Sequence, residues 1–390
     1  MPAPSVHAIG QFARQAADVL SLLPGGGPGC CNIAVTNVCN ATCDFCNYAK
    51  DKDFVTEKKW LDFDRACRAL DILYDRGIRY LTFSGGEPLL HPRLVEMVAH
   101  ASSKGMRAAV VTNGSPLTPR NIADLAAAGL RTLFISIDAP DAAAHEKNRG
   151  LPGVFQRIAA ANAQLKALGV KTVASVTINR LIGDYDLLVE ALERLGFETV
   201  TFTYPKRSLG SSSLVFSETS SLIDFSGPEL AEILAKIRAI KGRFGVLNPD
   251  ESLAEMTRFV QDERQEFPCY GGYKYFAMDV NFMVYRCDFW STPMCAIEDF
   301  PTTPLIRDDC TKCMSVCYRD SAVLFNFPVA LGDGLRALAK GRVGEAAKAF
   351  ARPSARKSVK ALMHEWQTLK KLAKTGDERA EAKPALDAAE

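Results

Sequence analysis

Histidine is scarce in this 390-residue chain, at five, and tryptophan scarcer, at three. No histidine lies near Cys39–Cys46, which removes the nitrogen ligands a mixed zinc site would want there. Charge of one sign is also lacking: 47 Lys and Arg face 45 Asp and Glu, a net +2 that supplies no argument for a nucleic-acid partner. Long apolar runs are missing too, since Val323–Leu331 is short and carries Pro328, so no bilayer-spanning segment is expected. Arg14 and Asp18 interrupt the apolar stretch of the first 24 residues, which does not read as a signal peptide; the cytoplasm is the expected location. Cysteine is absent between Cys67 and Cys269 yet abundant on either side, twelve in all. In a long chain of this kind clustered cysteines point to metal or catalysis more than to disulfides.

What is present is ordinary for a soluble globular protein, with 47% hydrophobic and 24% charged residues over a length that suits one large α/β domain plus an appendage, or two modest domains. From Asn32 onward, short β-branched or apolar runs alternate with longer amphipathic ones, the rhythm of βα units on a parallel sheet. The strands are expected at 32–36, 78–83, 106–112, 130–137, 170–178 and 197–202, and the helices at 57–76, 93–104, 119–128, 154–168, 184–195 and 228–244. Glycines 77, 105, 129, 169 and 196 stand where helices should stop. Six units fit either an open sheet or a partial barrel, and in both a ligand sits at the C-terminal strand ends. The stretch Ser208–Gly227 reads as a lid or substrate loop, Cys269–Tyr318 as a separate metal-binding appendage, the part after Gly332 as basic and helical, and 376–390 as a disordered tail.

Directly after the first strand, Cys39, Cys43 and Cys46 follow at spacings of four and three. Three thiolates can hold three corners of a cubic iron-sulfur cluster and leave the fourth iron open. Phe45 precedes the last of them, and the second strand ends in Ser84-Gly85-Gly86-Glu87-Pro88. Paired glycines admit close backbone approach, and the carboxylate beside them can receive an ammonium group. These two motifs, in this order, resemble the CxxxCxxC and GGEP signatures of the radical S-adenosylmethionine (SAM) superfamily.

The resemblance spans roughly residues 32–320 and implies a partial (β/α)6 barrel with a C-terminal cysteine-rich iron-sulfur extension and a basic helical tail. It divides the chain into a helical lead-in 1–31, a core 32–245, an extension 246–320, a basic segment 321–375 and the tail. It further implies a catalytic [4Fe-4S] cluster on Cys39, Cys43 and Cys46, and S-adenosylmethionine held by Phe45, Gly85, Gly86, Glu87 and Pro88. Strand-end residues Asn113, Ser136, Asp138 and Asn179 would reach the nucleoside and carboxylate. The segment His145–Gly153 is similar to the loop after strand four in peptide-modifying members, with His145 itself read as exposed. Cys67 and the pair Cys30-Cys31 are expected to pack as small hydrophobes, and Tyr204 as a core tyrosine.

The late cysteines look like the SPASM or shorter twitch extensions, though the C-x2-C-x5-C-x3-C run is absent and Asn281 stands where glycine is usual. One auxiliary [4Fe-4S] cluster is expected, on Cys269, Cys287, Cys310 and Cys313, with Cys317 the next choice and Cys295 the last. A zinc site on the same four thiolates stays open. The expected reaction is reductive cleavage of S-adenosylmethionine to a 5'-deoxyadenosyl radical that takes hydrogen from a peptide or small molecule; a lipid-linked substrate is the alternative. The implied partner is an electron donor such as flavodoxin or ferredoxin; the basic run itself reads as a solvated helix face, with contact to a membrane surface or an acidic partner as the alternatives. Two rivals compete: a zinc-stabilised binding module leaves the GGEP loop unexplained, and a thiol redox protein would want Cys310-x2-Cys313 at a helix start within a βα unit.

Overall fold

The computed structural model describes residues 17, 18, 20–205 and 219–374. Part of the lead-in, most of the expected lid and the tail therefore lie outside the described residues.

Strands β1 (Gly29–Thr36), β2 (Ile78–Gly85), β3 (Arg107–Thr112), β4 (Thr132–Ser136), β5 (Lys171–Thr177), β6 (Thr199–Thr203) and β7 (Gly245–Val246) pair in sequence order, all parallel. A doubly wound sheet would reverse direction along its strand order. This one does not, and the order is that of a partial barrel. Helices α1 (Phe63–Asp75), α2 (Leu94–Ser103), α3 (Pro119–Ala127), α4 (Ala142–Arg149), α5 (Val154–Ala167), α6 (Tyr185–Arg194), α7 (Gly227–Ile240) and α8 (Asp250–Val260) occupy the connections. Their starts follow capping chemistry: Asp62, Thr118 and Asp184 accept from first-turn N–H groups, and Ser226 with Glu229 forms a capping box. Glycine stops appear as expected, for example at Gly77 (φ 88°) and Gly105 (φ 83°). One continuous core joins the strand residues Ile33, Phe83, Val110, Leu133 and Val176 to the helices outside them.

Three readings change. β1 begins at Gly29 rather than Asn32, because Cys30 N–H donates to Lys274 O (2.8 Å) and Cys31 pairs with Leu81. Residues 142–149 form α4, not a loop. Pro328 does not break the apolar run, since it lies inside α9 (Val316–Ala339), which is long and apolar enough to cross a membrane by length and composition alone. That helix packs against α10 (Val343–Phe350) and α11 (Pro353–Lys374) and carries buried Arg319 and Asn326.

The cysteine-rich extension is joined to the barrel edge. β8 (Tyr275–Met278) pairs parallel with β1, turns antiparallel into β9 (Met283–Tyr285), and β9 meets β10 (Cys295–Ala296), giving one ten-stranded sheet.

Candidate active site

The loop after β1 is held by backbone bonds from three directions. Thr42 N–H donates to Arg149 O (2.9 Å), Lys50 N–H to Ala41 O (2.9 Å), and Glu87 N–H to Val38 O (2.8 Å). Asn113 Nδ2 donates to Asn40 Oδ1 (2.8 Å), tying the loop to the end of β3. Held in this way, Cys39, Cys43 and Cys46 all line one cavity of about 760 Å³ that runs through the barrel. Burial pushes the Cys46 thiol up to about 11 and the Cys43 thiol higher still, so in an empty site both stay protonated. Only a compensating metal charge would make thiolates of them at neutral pH.

The paired glycines have a specific reason to be glycine. A Cβ on Gly85, whose φ is 118°, would lie 2.1 Å from Thr36 O, and one on Gly86 would lie 2.2 Å from Val38 O. What they admit is the cysteine loop's own backbone, a closer partner than the ligand the motif suggested. Glu87 then points at the end of β3. Its Oε1 accepts from Thr112 Oγ1 (2.8 Å) and Leu89 N–H (3.1 Å), and its Oε2 from Asn113 N–H (2.7 Å). Burial raises Glu87 to about 7 against the lowering effect of those bonds.

Phe45, Pro88, Asn113 and Ser136 join Gly85, Gly86 and Glu87 on the cavity wall. Asp138 and Asn179 are not among its lining residues. Asp138 accepts from Arg149 Nη2 (2.6 Å) and Asn148 Nδ2 (2.8 Å), and Asn179 donates to Asp138 O (2.9 Å). Both stitch α4 and β5 to the end of β4. His145, read as exposed, is fully buried on α4, where Nδ1 accepts from Asp138 N–H (3.1 Å). Desolvation, with Arg149 nearby, lowers His145 to about 4, so it is a neutral acceptor. Arg149 escaped the sequence reading: buried, ion-paired to Asp138, with Nε unpartnered, it lines the cavity beside Cys39 and Cys43.

Residues 33–186 match the model described as "Radical SAM superfamily". Over residues 33–186 the chain carries a radical SAM domain. An "AdoMet-dependent heme synthase" of Nitratidesulfovibrio vulgaris is 30% identical over 177 residues, 45% of this chain and 48% of that one. The chain thus spans about half the length of the curated relatives it matches. Among solved structures, Streptococcus suis SuiB bound to S-adenosylmethionine overlays with TM-score 0.54 at 15% identity, covering 78% of this chain and 73% of that one. So does anSMEcpe with bound AdoMet and Kp18Cys peptide, with TM-score 0.54 at 13% identity over 88% and 99% of the two chains. Those likenesses confirm the fold.

The radical SAM family uses a [4Fe-4S] cluster and S-adenosylmethionine, and the donor set here fits the cluster. Among the described residues, the only three donors mutually within 4.8 Å are Asp250, His364 and Glu365. Among the described residues no three cysteine sulfurs lie mutually within 4.8 Å, whereas one tetrahedral zinc holds its thiolates roughly 3.8 Å apart. A multi-iron core suits such spacing better.

Behind the cavity wall lie the late cysteines. Cys269, Cys287 and Cys310 pack around Tyr275 and Tyr318, Cys269 N–H donates to Cys310 O (3.1 Å), and Cys313 lies close enough to raise the Cys269 and Cys287 thiols electrostatically. Cys30 joins this group instead of packing in the core with Cys31. Cys317 faces the main cavity from the first turn of α9, and Cys295 packs apart, on β10 against the barrel core. Cys67 is part-exposed on α1, not the buried hydrophobe expected. Tyr204 packs against the core, edge-on to Phe259 at 6.2 Å, and does not line the cavity.

Proposed function

We propose that this chain reductively cleaves S-adenosylmethionine at a [4Fe-4S] cluster held by Cys39, Cys43 and Cys46, and applies the radical to a peptide or other small molecule in the barrel. The observation that carries this reading is the convergence of three thiols and the Gly85–Pro88 loop on the wall of one cavity. Cys39, Cys43 and Cys46 would hold the cluster, which would supply the one electron for reductive cleavage of the sulfonium into methionine and a hydrogen-abstracting 5'-deoxyadenosyl radical.

The chain's own residues do the positioning. Glu87, fixed by three donors, sets the β3 end and offers its remaining lone pairs to an ammonium group. Arg149 puts a permanent positive charge beside the thiolates. Thr82, Ser84, Ser136, Ser175, Thr177 and Thr201 place hydroxyls among apolar neighbours such as Val111, Phe134 and Met278 on the wall of a lumen that is open, unlike the packed interior of a closed barrel. Cys269, Cys287, Cys310 and Cys313 would hold an auxiliary [4Fe-4S] cluster behind Tyr275. With all four ligand positions filled by protein, its role is structural or electron-accepting.

A peptide substrate draws support from the peptide-bound anSMEcpe neighbour, and a small molecule from the relative named as a heme synthase. A flavodoxin or ferredoxin as electron donor, and a cytoplasmic setting, belong to the same proposal. A zinc-stabilised module is disfavoured by the wide sulfur spacing. The test is anaerobic turnover with candidate deuterated substrates. Deuterium in 5'-deoxyadenosine identifies the substrate, and a colourless zinc protein that makes no 5'-deoxyadenosine defeats the reading.

A further inference from the structure

Thirteen large hydrophobic side chains are exposed on the described residues, and six of them, Phe327, Leu335, Leu338, Val343, Phe350 and Met363, lie on α9, α10 and α11. Three of the six sit around one sharp turn. Leu335 and Leu338 are 38% and 46% exposed on the last turns of α9, at the i, i+3 spacing that shares a face, and Val343 is 68% exposed at the first position of α10. Between them the chain reverses through Lys340-Gly341-Arg342, all exposed.

Charge is concentrated in the same place. From Arg336 to Lys360 there are eight Lys and Arg against Glu345 alone, in a chain whose net charge is only +2. Some of these cations are spent inside the protein: Arg336 and Arg352 pair with Asp333, Lys357 with Glu266, and Arg342 with Glu345. Lys340 and Lys348 are exposed with no acidic partner among the described residues. On α11, Arg356, Lys360 and Met363 recur at i, i+4, i+7, again cations with an exposed apolar residue (Met363 is 73% exposed).

We propose that the α9–α10 turn, with the outer face of α11, is a peripheral docking surface for an anionic lipid bilayer. Leu338 and Val343 enter the headgroup–acyl boundary while Lys340 and Lys348 meet lipid phosphates. The pairing of an apolar tip with surrounding unspent cations selects this occupant. A second copy of the chain would bring the same positive field against itself, and a basic rim alone would not need the apolar tip. The mode is peripheral: α9 has the length and hydropathy to span, but Arg319 and Asn326 are buried within it against protein, Arg319 being paired to Glu255. The attraction of such cations to an anionic surface fades beyond the screening length of roughly 8 Å at physiological salt.

The surface lies outside the cavity and does not depend on the radical reaction, so its test needs no turnover. The full-length protein is sedimented with vesicles of phosphatidylcholine alone and of phosphatidylcholine with phosphatidylglycerol, at low and high salt. Expected is co-sedimentation with the anionic vesicles at low salt, reduced at least tenfold in affinity by Lys340→Glu with Lys348→Glu, and reduced likewise by Leu338→Ser with Val343→Ser, whose exposed sites leave folding intact. No binding to anionic vesicles overturns the proposal. So does binding that both double variants retain, or a wild-type dimer in size-exclusion chromatography that the Leu338/Val343 variant alone dissolves.

Discussion

Glu87 shows how a short motif does more than one job. The side chain is 1% exposed, and both its oxygens accept from the β3 end, so removing its charge disturbs the site as well as any ligand. In Glu87→Gln an amide donor replaces an acceptor against Asn113 N–H or Thr112. Charge-assisted bonds of this kind are worth roughly 1.5–3 kcal/mol, so S-adenosylmethionine binding should weaken by at least about tenfold. Anaerobic equilibrium dialysis reads this directly, and binding within about twofold of wild type removes Glu87 from the ligand site. A second carboxyl gives a pH signature. Burial raises Asp320 on α9 to about 7, partly offset by hydrogen bonds from Ser252 and Asn248. A carboxyl titrating higher folded than unfolded binds the extra proton in the native state, so stability is greatest below its unfolded pKa and falls as pH rises through about 7. Thermal unfolding of the apoprotein between about pH 5 and 8 should show this fall. Asp320→Asn should shrink it, and an unchanged slope would show that Asp320 does not titrate there.

At the scale of elements, a buried ion pair ties α9 to α8. Arg319 Nη2 donates to Glu255 Oε2 (3.1 Å) with both side chains almost fully buried, and Glu255 also accepts from the N–H groups of Glu266 (2.9 Å) and Phe267 (3.2 Å). Removing one partner of such a pair strands the other charge, at about 3–5 kcal/mol. Glu255→Ala should cost about that in denaturant unfolding and free α9 from α8, whereas a loss under about 1 kcal/mol would mean that water reaches Arg319. The βα rhythm was legible because periodicity, caps and glycine stops all report local backbone needs. α4 was not: Ala142–Arg149 carries no apolar residue larger than alanine, and its buried face is His145 and Arg149, whose burial depends on Asp138 from a different element. Pro328 was misread because proline ordinarily ends a helix, and here tertiary packing of α10 and α11 carries α9 through it.

Across the whole molecule, the candidate site was visible wherever residues lie in one loop, as with Cys39, Cys43, Cys46 and Gly85–Pro88. It was hidden where the sheet brings distant segments together. Arg149, Tyr275, Asp288 and Asp320 reach the cavity from α4, β8, the β9 exit and α9, and no local pattern announces them. Asp138 and Asn179 err the other way: a polar residue at a strand end was read as a ligand contact, and the structure uses it to fasten neighbouring elements. The edge pairing of β8 with β1 sets Tyr275 between the barrel lumen and the late cysteines, so two metal sites would share one wall. That arrangement makes their independence measurable. In the most direct test, Cys39, Cys43 and Cys46 are all replaced by alanine, and the protein is reconstituted anaerobically, then assayed for iron and for 5'-deoxyadenosine. The account predicts about four retained irons per chain, those of one auxiliary cluster, and no cleavage of S-adenosylmethionine. Undiminished 5'-deoxyadenosine production in that variant would contradict it.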